Sequence, residues 1–415
     1  MNEGKHMAAK LRGYKIASLI LVLTFSTIII SSSVASSSLT VVQTIAFYGQ
    51  INESTSVNGT LEVEGRSIVN GLGQTVYLRG LSLSGLQLPV GSPLMTQADV
   101  DSGNYGGLIT ENDFAVMASM GADCVRIPFG WGWLEPQIGV YNMTYVARLD
   151  QVIGWAESNN VYVILDLHNN DLQYPFVASW ITDPGFFTNA SQQQSFIDVW
   201  TWLSQRYQNN TGVLYNLINE PYSPAWAKEF GYNTMASMVF PTLFNSSGLY
   251  ARTIQAIRAN DDNKICVVNP VGGDTWSIVG TDNVTYPIKL ADSNVLYSPH
   301  WYYPSNSGDD MSWYNSLVTS AYQFSVDNNV PIFAGEWGIP WRLTTLNVTE
   351  QTYWTQEHCQ TYANLGFNWC YWSFKEDNCA IYYSDEGSAI FNDTLRPMAS
   401  VLIEYMSETA IPPPP

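Results

Sequence analysis

With 415 residues, 46% of them hydrophobic, the chain can bury a sizeable core as one large domain or two small ones. Charged residues make up only 13%, well under the roughly 25% of ordinary soluble domains. The formal charge of −19 comes with no basic stripe, which excludes nucleic acid as a partner and suits a neutral polymer such as a polysaccharide.

In chain order, Lys5, Lys10, Arg12 and Lys15 precede the apolar stretch Ile16 to Ile30 and the small residues Ser31 to Ser36. This is the layout of a secretory signal over residues 1–35, with cleavage expected after Ala35 and a secreted, extracellular catalytic part. About 18 apolar residues suffice for a membrane helix, so an uncleaved tether through 16–30 is the competing expectation, weakened by Ser18, Thr24, Ser26 and Thr27. A Ser/Thr-rich leader fills 36–60. Nine Asn-x-Ser/Thr triplets, at Asn52, Asn58, Asn142, Asn189, Asn209, Asn245, Asn283, Asn347 and Asn392, would suit a glycoprotein, although each alone is weak. In strong acid carboxylates protonate and clustered cations repel one another. Having only 17 Lys and Arg predicts function under such conditions.

Residues 61–407 read as a single catalytic domain, with no internal repeat. Leu61–Val69 and Gln74–Leu78 flank Asn70-Gly71, a hairpin signal. Short apolar runs then alternate with amphipathic segments. Strands are expected at Val76–Leu81, Cys124–Pro128, Tyr162–Leu167, Leu214–Asn219, Ile265–Asn269, Val295–Pro299, Ile332–Glu336 and Asn368–Ser373. Helices are expected at Tyr145–Ser158, Gln192–Tyr207, Gly248–Ala259, Trp313–Val326, Glu350–Asn364 and Leu395–Met406. Eight such repeats predict an α/β fold closed into a (β/α)8 TIM barrel behind an N-terminal hairpin. Long loops follow the fourth strand (Pro221–Ser247) and the sixth (Trp301–Trp313). A Pro-rich tail, 408–415, ends the chain, and a monomer is expected. Cys124 and Cys266 read as core thiols, whereas Cys359, Cys370 and Cys379 could supply one disulfide; five cysteines leave at least one unpaired.

Two of the expected strands end on a glutamate, Glu220 and Glu336, each followed at once by a change of direction. A lone glutamate at a strand tip is more often half of an ion pair. Two of them at the C-terminal mouth of a barrel, in a chain poor in charge, fit the paired carboxylates of glycosidic bond hydrolysis. One must stay ionised to attack and the other must hold a proton, and Arg126, at the end of the second strand, could favour the ionised form of its neighbour. Tyr302 could donate to the same carboxylate. His168 and His300 also close strands, and two histidines on one rim point to hydrogen bonding with sugar and carboxylate. A metal site is not expected, because no His-Glu-x-x-His or Cys/His spacing exists, and no cofactor is needed. These residues alone do not say which glutamate attacks.

The motifs, in order, resemble glycoside hydrolase family 5, a cellulase-containing family of retaining barrels, over Leu61 to Tyr405. Leu78-Arg79-Gly80-Leu81 resembles its opening strand, and Val125-Arg126-Ile127-Pro128 its arginine strand. Leu165-Asp166-Leu167-His168, Asn219-Glu220-Pro221, His300-Trp301-Tyr302, Gly335-Glu336-Trp337-Gly338 and Tyr371-Trp372-Ser373 follow in family order. The resemblance implies Glu220 as acid/base, Glu336 as nucleophile, Asn219 on the 2-hydroxyl and Trp372 beneath the sugar at the cleavage point. Arg126, His168, His300 and Tyr302 would complete the set. Several of the 15 tryptophans, among them Trp131, Trp133, Trp180, Trp226, Trp301, Trp337 and Trp341, fall in or beside the expected C-terminal loops. Any one is more often packing than platform, but together they suggest sugar-binding surfaces. Lys375 resembles a lysine with which some family cellulases grip the neighbouring sugar. The expected activity is hydrolysis of β-linked glucan, foremost as an endo-β-1,4-glucanase. β-Mannanase, exo-β-1,3-glucanase and endoglycoceramidase are the alternatives within the family, and a non-catalytic sugar-binding glycoprotein is the alternative outside it.

Overall fold

The computed structural model describes residues 59–92, 94–168, 181–260, 262–303, 312–340, 346–375, 379–384 and 391–407. The expected signal or tether, most of the leader, Trp180, Trp341 and the Pro-rich tail lie outside the described residues. Among those described, no helix is long and apolar enough to cross a membrane.

Eight parallel strands form the barrel: β1 (Arg79–Ser82), β2 (Cys124–Gly130), β3 (Tyr162–His168), β4 (Val213–Asn216), β5 (Cys266–Val268), β6 (Val295–Tyr297), β7 (Phe333–Ala334) and β8 (Asn368–Tyr371). The hydrogen-bonded order runs β6-β5-β4-β3-β2-β1-β8-β7. The ring closes through a parallel bridge between Tyr297 and Ile332, supported by Tyr297 N donating to Pro331 O at 3.3 Å. Beyond β6 and β7 the pairing resumes in register between His300–Tyr302 and Glu336–Gly338, so His300 lies opposite Glu336.

Strands such as Cys124–Gly130 and Tyr162–His168 are buried along their whole length. Both of their faces are covered, one by the barrel interior and the other by helices, which is why the runs are apolar throughout rather than alternating. The interior cluster joins Leu78, Cys124, Ile164, Leu214, Val267, Leu296, Phe333 and Cys370 to Leu61 and Ile68 of the N-terminal segment. That segment holds the expected hairpin about Asn70, Ser67–Val69 paired with Thr75–Val76, and extends it to a three-stranded meander, because Gly65 turns the chain once before Asn70 and adds Glu62–Glu64. At the second turn Asn70 Oδ1 accepts from the N–H groups of Leu72 and Gln74, each at 3.0 Å.

The connecting helices include α1 (Glu111–Ser119), α2 (Met143–Ser158), α3 (Ala190–Tyr207), α4 (Leu249–Arg258), α5 (Ser312–Asn328), α6 (Val348–Leu365) and α7 (Ala399–Ser407). After β5 the described residues form a small ribbon, Ile278–Val279 paired with Thr285–Tyr286, in place of a helix. The long connection after β4 holds two helices, Pro224–Phe230 and Tyr232–Phe244. The first is started by Ser223, whose Oγ accepts from Trp226 N, and by Pro224 in the first turn.

Three of the glycosylation triplets have a local explanation. Asn142, Asn189 and Asn347 are the N-caps of α2, α3 and α6, with Oδ1 accepting N–H groups of the first turn. Capping accounts for asparagine there without reference to a glycan. The cysteine expectation needs correction. None of the five cysteines is in a disulfide, and all five are buried. Cys370 faces the barrel interior, where its Sγ lies 3.5 Å from that of Cys124, whereas Cys359 sits on α6 in the outer core.

Candidate active site

The C-terminal ends of β2, β3, β4, β6 and β7 bring the chemistry-bearing residues to one mouth. Arg126 is wholly buried there. Its Nη1 donates to Glu336 Oε1 at 2.6 Å, and its Nη2 donates to Asn219 Oδ1 at 2.6 Å and meets Asp166 Oδ2 at 3.0 Å. Burial works against the guanidinium charge, but Asp166 and Glu336 outweigh it and hold Arg126 above its ordinary value. Asp166 also accepts from His168 Nδ1 at 2.7 Å, and Asn219 Nδ2 approaches His168 Nε2 at 3.4 Å. One arginine thus orients the carboxylate, the asparagine and, through Asp166, the histidine.

Glu336 receives a second donor on its other oxygen, Tyr302 Oη at 2.5 Å. Arg126 is buried and Tyr302 half-buried, and both interactions are strongest with a carboxylate. Glu220 is placed differently. It follows the last β4 turn at φ +37°, a conformation that few non-glycine residues adopt. Its Oε1 accepts from His300 Nδ1 at 2.8 Å. Burial pushes it up to about 7, against the opposing pull of His168 and Arg126. Its side chain retains 29% exposure, toward the mouth that a substrate would close.

The tautomer of His300 follows from its neighbours. Asn269 Nδ2 donates to His300 Nε2 at 2.8 Å, and Asn269 Oδ1 accepts from Asn216 Nδ2 at 2.8 Å. The proton of His300 is therefore on Nδ1, aimed at Glu220. Burial lowers its pKa to about 4, which keeps the ring neutral at higher pH. Glu220, His300 and Glu336 each offer an atom within 4.8 Å of the others. In this tautomer the histidine presents a proton rather than a lone pair to the space between the two carboxylates. Trp372, 6% exposed, stacks on His168 with ring centres 5.7 Å apart and 18° between planes.

The structure thus brings together Arg126, His168, Asn219, Glu220, His300, Tyr302, Glu336 and Trp372. It does not do so for the expected platforms. Trp301 and Trp337 are fully buried on the outer side of the wall, against Tyr362, Phe367 and Trp369. Side chains alternate along a strand. The neighbours of His300, Tyr302 and Glu336, which face the mouth, must therefore face the helices. Trp131 is also buried, donating through Nε1 to Glu135 at 2.8 Å and packing edge-on to Phe186 and Phe196. Trp180 lies outside the described residues.

Lys375 turns away to bind Asp113 Oδ1 at 2.6 Å, below the cap of α1. Lys375→Met is expected to leave kcat/KM within about twofold and to lower Tm by a few degrees, because Asp113 is buried. Thermal melts and initial rates on the same preparation check both halves.

Sequence reasoning missed Asp166, Asn216 and Asn269 as site members, although each is a polar residue at or inside an apolar run. It also missed Tyr232 and the Gly272–Thr275 turn beside Glu220.

Residues 72–378 match the family model described as Cellulase (glycosyl hydrolase family 5). Endoglucanase C of Acetivibrio thermocellus is 25% identical over 213 residues, 48% of this chain and 52% of that protein. The chain therefore spans about half the length of such relatives. Glucan endo-1,6-beta-glucosidase B of Emericella nidulans is 23% identical over 309 residues, 69% of this chain and 71% of that protein. The crystal structure of an endogalactoceramidase shares the fold with a TM-score of 0.63 at 21% identity, covering 84% of each chain. With the family model spanning most of the barrel, the chain belongs to glycosyl hydrolase family 5.

Proposed function

We propose that this protein hydrolyses β-linked glucan with retention of anomeric configuration, acting as an endo-β-1,4-glucanase with Glu336 as nucleophile and Glu220 as acid/base. The observation that carries this reading is the unequal surroundings of two carboxylates whose oxygens lie within 4.8 Å. Retaining enzymes hold the pair about 5–5.5 Å apart, too close for a water molecule between carboxylate and sugar. Glu336, gripped by Arg126 and Tyr302, is suited to attack as an anion. Glu220, raised to about 7, is suited to arrive protonated.

In the first step Glu336 bonds to the anomeric carbon, the glycosidic bond breaks, and the proton of Glu220 goes to the leaving oxygen. The ester consumes the charge of Glu336. Glu220, now ionised and held by His300 Nδ1–H, takes a proton from water as its oxygen attacks the same carbon and frees Glu336. Asn219, fixed by Arg126, is placed for the 2-hydroxyl, and Trp372 for the face of the sugar ring. Work on an external polymer requires export, which residues 1–35 would supply.

A β-1,6-glucan is the second reading, favoured by the Emericella nidulans relative that spans 69% of the chain. Incubation with hydroxyethyl cellulose, mannan, laminarin, a β-1,6-glucan and a glycosphingolipid, read by new reducing ends, separates these. The expected result is fastest cleavage of the β-1,4-glucan, with the β-anomer formed first by NMR. An α-anomer appearing first, or no cleavage of any member, overturns the proposal.

A further inference from the structure

The chain leaving β5 makes a turn that the catalytic set above does not use. Gly272 N donates to Pro221 O at 3.1 Å, and Gly273 O accepts from His300 N at 2.8 Å. The turn is therefore tied on one side to the residue after Glu220 and on the other to the partner of Glu220. A Cβ on Gly273 would lie 3.0 Å from Glu220 Cγ and Oε1 and 2.9 Å from His300 Cβ, and the residue has φ +81°. A Cβ on Gly272 would lie 1.9 Å from Tyr232 Oη. Only two glycines let the backbone pass between Tyr232 and the acid/base. The next residue, Asp274, is thereby set at the flank of Glu220, close enough that the Glu220 carboxylate, after burial, raises the cost of ionising it.

The partners of Asp274 are weak. Tyr232 Oη and Thr275 Oγ1 approach its Oδ1 at 3.4 and 3.5 Å, while the better bond of Tyr232 is to Thr275 Oγ1 at 2.9 Å. Besides these, Asp274 accepts from its own backbone N–H, which leaves a half-buried carboxylate with acceptor sites to spare. The strand order says what would use it. Asn219 and Glu220 leave β4; His168 leaves β3 with Trp372, from the opposite wall, stacked on its ring at 5.7 Å, and the sugar being attacked belongs over that pair. The turn leaves β5, on the other side of Glu220, where the chain beyond the scissile oxygen must run.

We infer that Asp274, presented by the Gly272–Gly273 turn and flanked by Tyr232, is a specificity-determining residue that accepts hydrogen bonds from hydroxyls of the leaving-group sugar. The inference rests on the reading of Glu220 as proton donor.

The test compares Asp274→Asn and Asp274→Ala with the parent protein on two substrates sharing a glycone, cellotetraose and 4-nitrophenyl β-cellobioside. The second carries no sugar beyond the scissile bond. Losing hydrogen bonds to a charged acceptor predicts about a 10- to 100-fold fall in kcat/KM on cellotetraose, with the aryl substrate within about twofold. Unchanged melting curves guard against misfolding, and the two variants guard against one side chain's idiosyncrasy. Equal loss on both substrates, or loss on neither, overturns the inference. Parent protein that releases nitrophenol but cleaves no oligosaccharide overturns it as well, leaving the retaining mechanism standing. Parent protein inert toward both, and toward the wider panel, sinks the proposed function and the inference together.

Discussion

Glu336→Gln is expected to lower kcat/KM on the best glucan by about 10^4-fold or more while leaving binding of the same oligosaccharide nearly unchanged. The amide keeps the shape of the side chain; its oxygen can still accept from Arg126, while its NH2 faces Tyr302 Oη and donates to it. It cannot form the ester on which the second half of the reaction depends. A stronger version of the test uses the parent protein and an activated 2-deoxy-2-fluoro glycoside. The fluorine destabilises both oxocarbenium-like transition states, and the good leaving group lets the ester accumulate. Peptide mass mapping should then find the sugar mass on the segment holding Glu336. A label on the segment holding Glu220, or full turnover by Glu336→Gln, would remove the assignment.

The second large effect concerns Glu220. Its carboxyl is raised to about 7 by burial, so the proton is present below that pH and lost above it. Turnover of glucan should therefore hold steady on the acid side of 7 and fall about tenfold per pH unit above it. The Glu220→Ala variant should lose about 10^2- to 10^4-fold on glucan and lose this descending limb as well. A dinitrophenyl glycoside departs without a proton, so its first step survives in the variant and the ester accumulates. Added azide should then attack the ester and yield a β-glycosyl azide, a product the parent enzyme does not make. A descending limb that persists in Glu220→Ala, or azide without effect, would move the acid/base role elsewhere.

The barrel was legible because each strand is a short apolar run bounded by turn residues, and a parallel sheet covered on both faces leaves that signature. α1 escaped because it is only nine residues long and its start is marked by the capping pair Thr110 and Asp113 rather than by periodicity. Glu220 and Glu336 were legible as charges at strand tips. Their distinction was not, since it arises from Arg126, Tyr302 and His300, residues that approach from other strands. The tryptophan platforms failed for a local reason. Trp301 and Trp337 fall beside the expected C-terminal loops, but each is the strand neighbour of a mouth-facing residue and so points to the opposite face. Lys375 failed for a distant one, because Asp113, 262 positions away, takes its charge. Asp274 gave no sequence signal because its setting depends on two glycines passing between side chains from two other segments.

The N-terminal meander has a kinetic corollary. Among the described residues Leu61 and Ile68 stopper the far end of the barrel, so the ester of the proposed mechanism would be reached from the mouth. The solvent molecule that ends each cycle must come in by the route the departing saccharide takes out. Water and a newly arriving hydroxyl-bearing acceptor thus contend for one intermediate, and as glucan grows concentrated, chain transfer gains on cleavage.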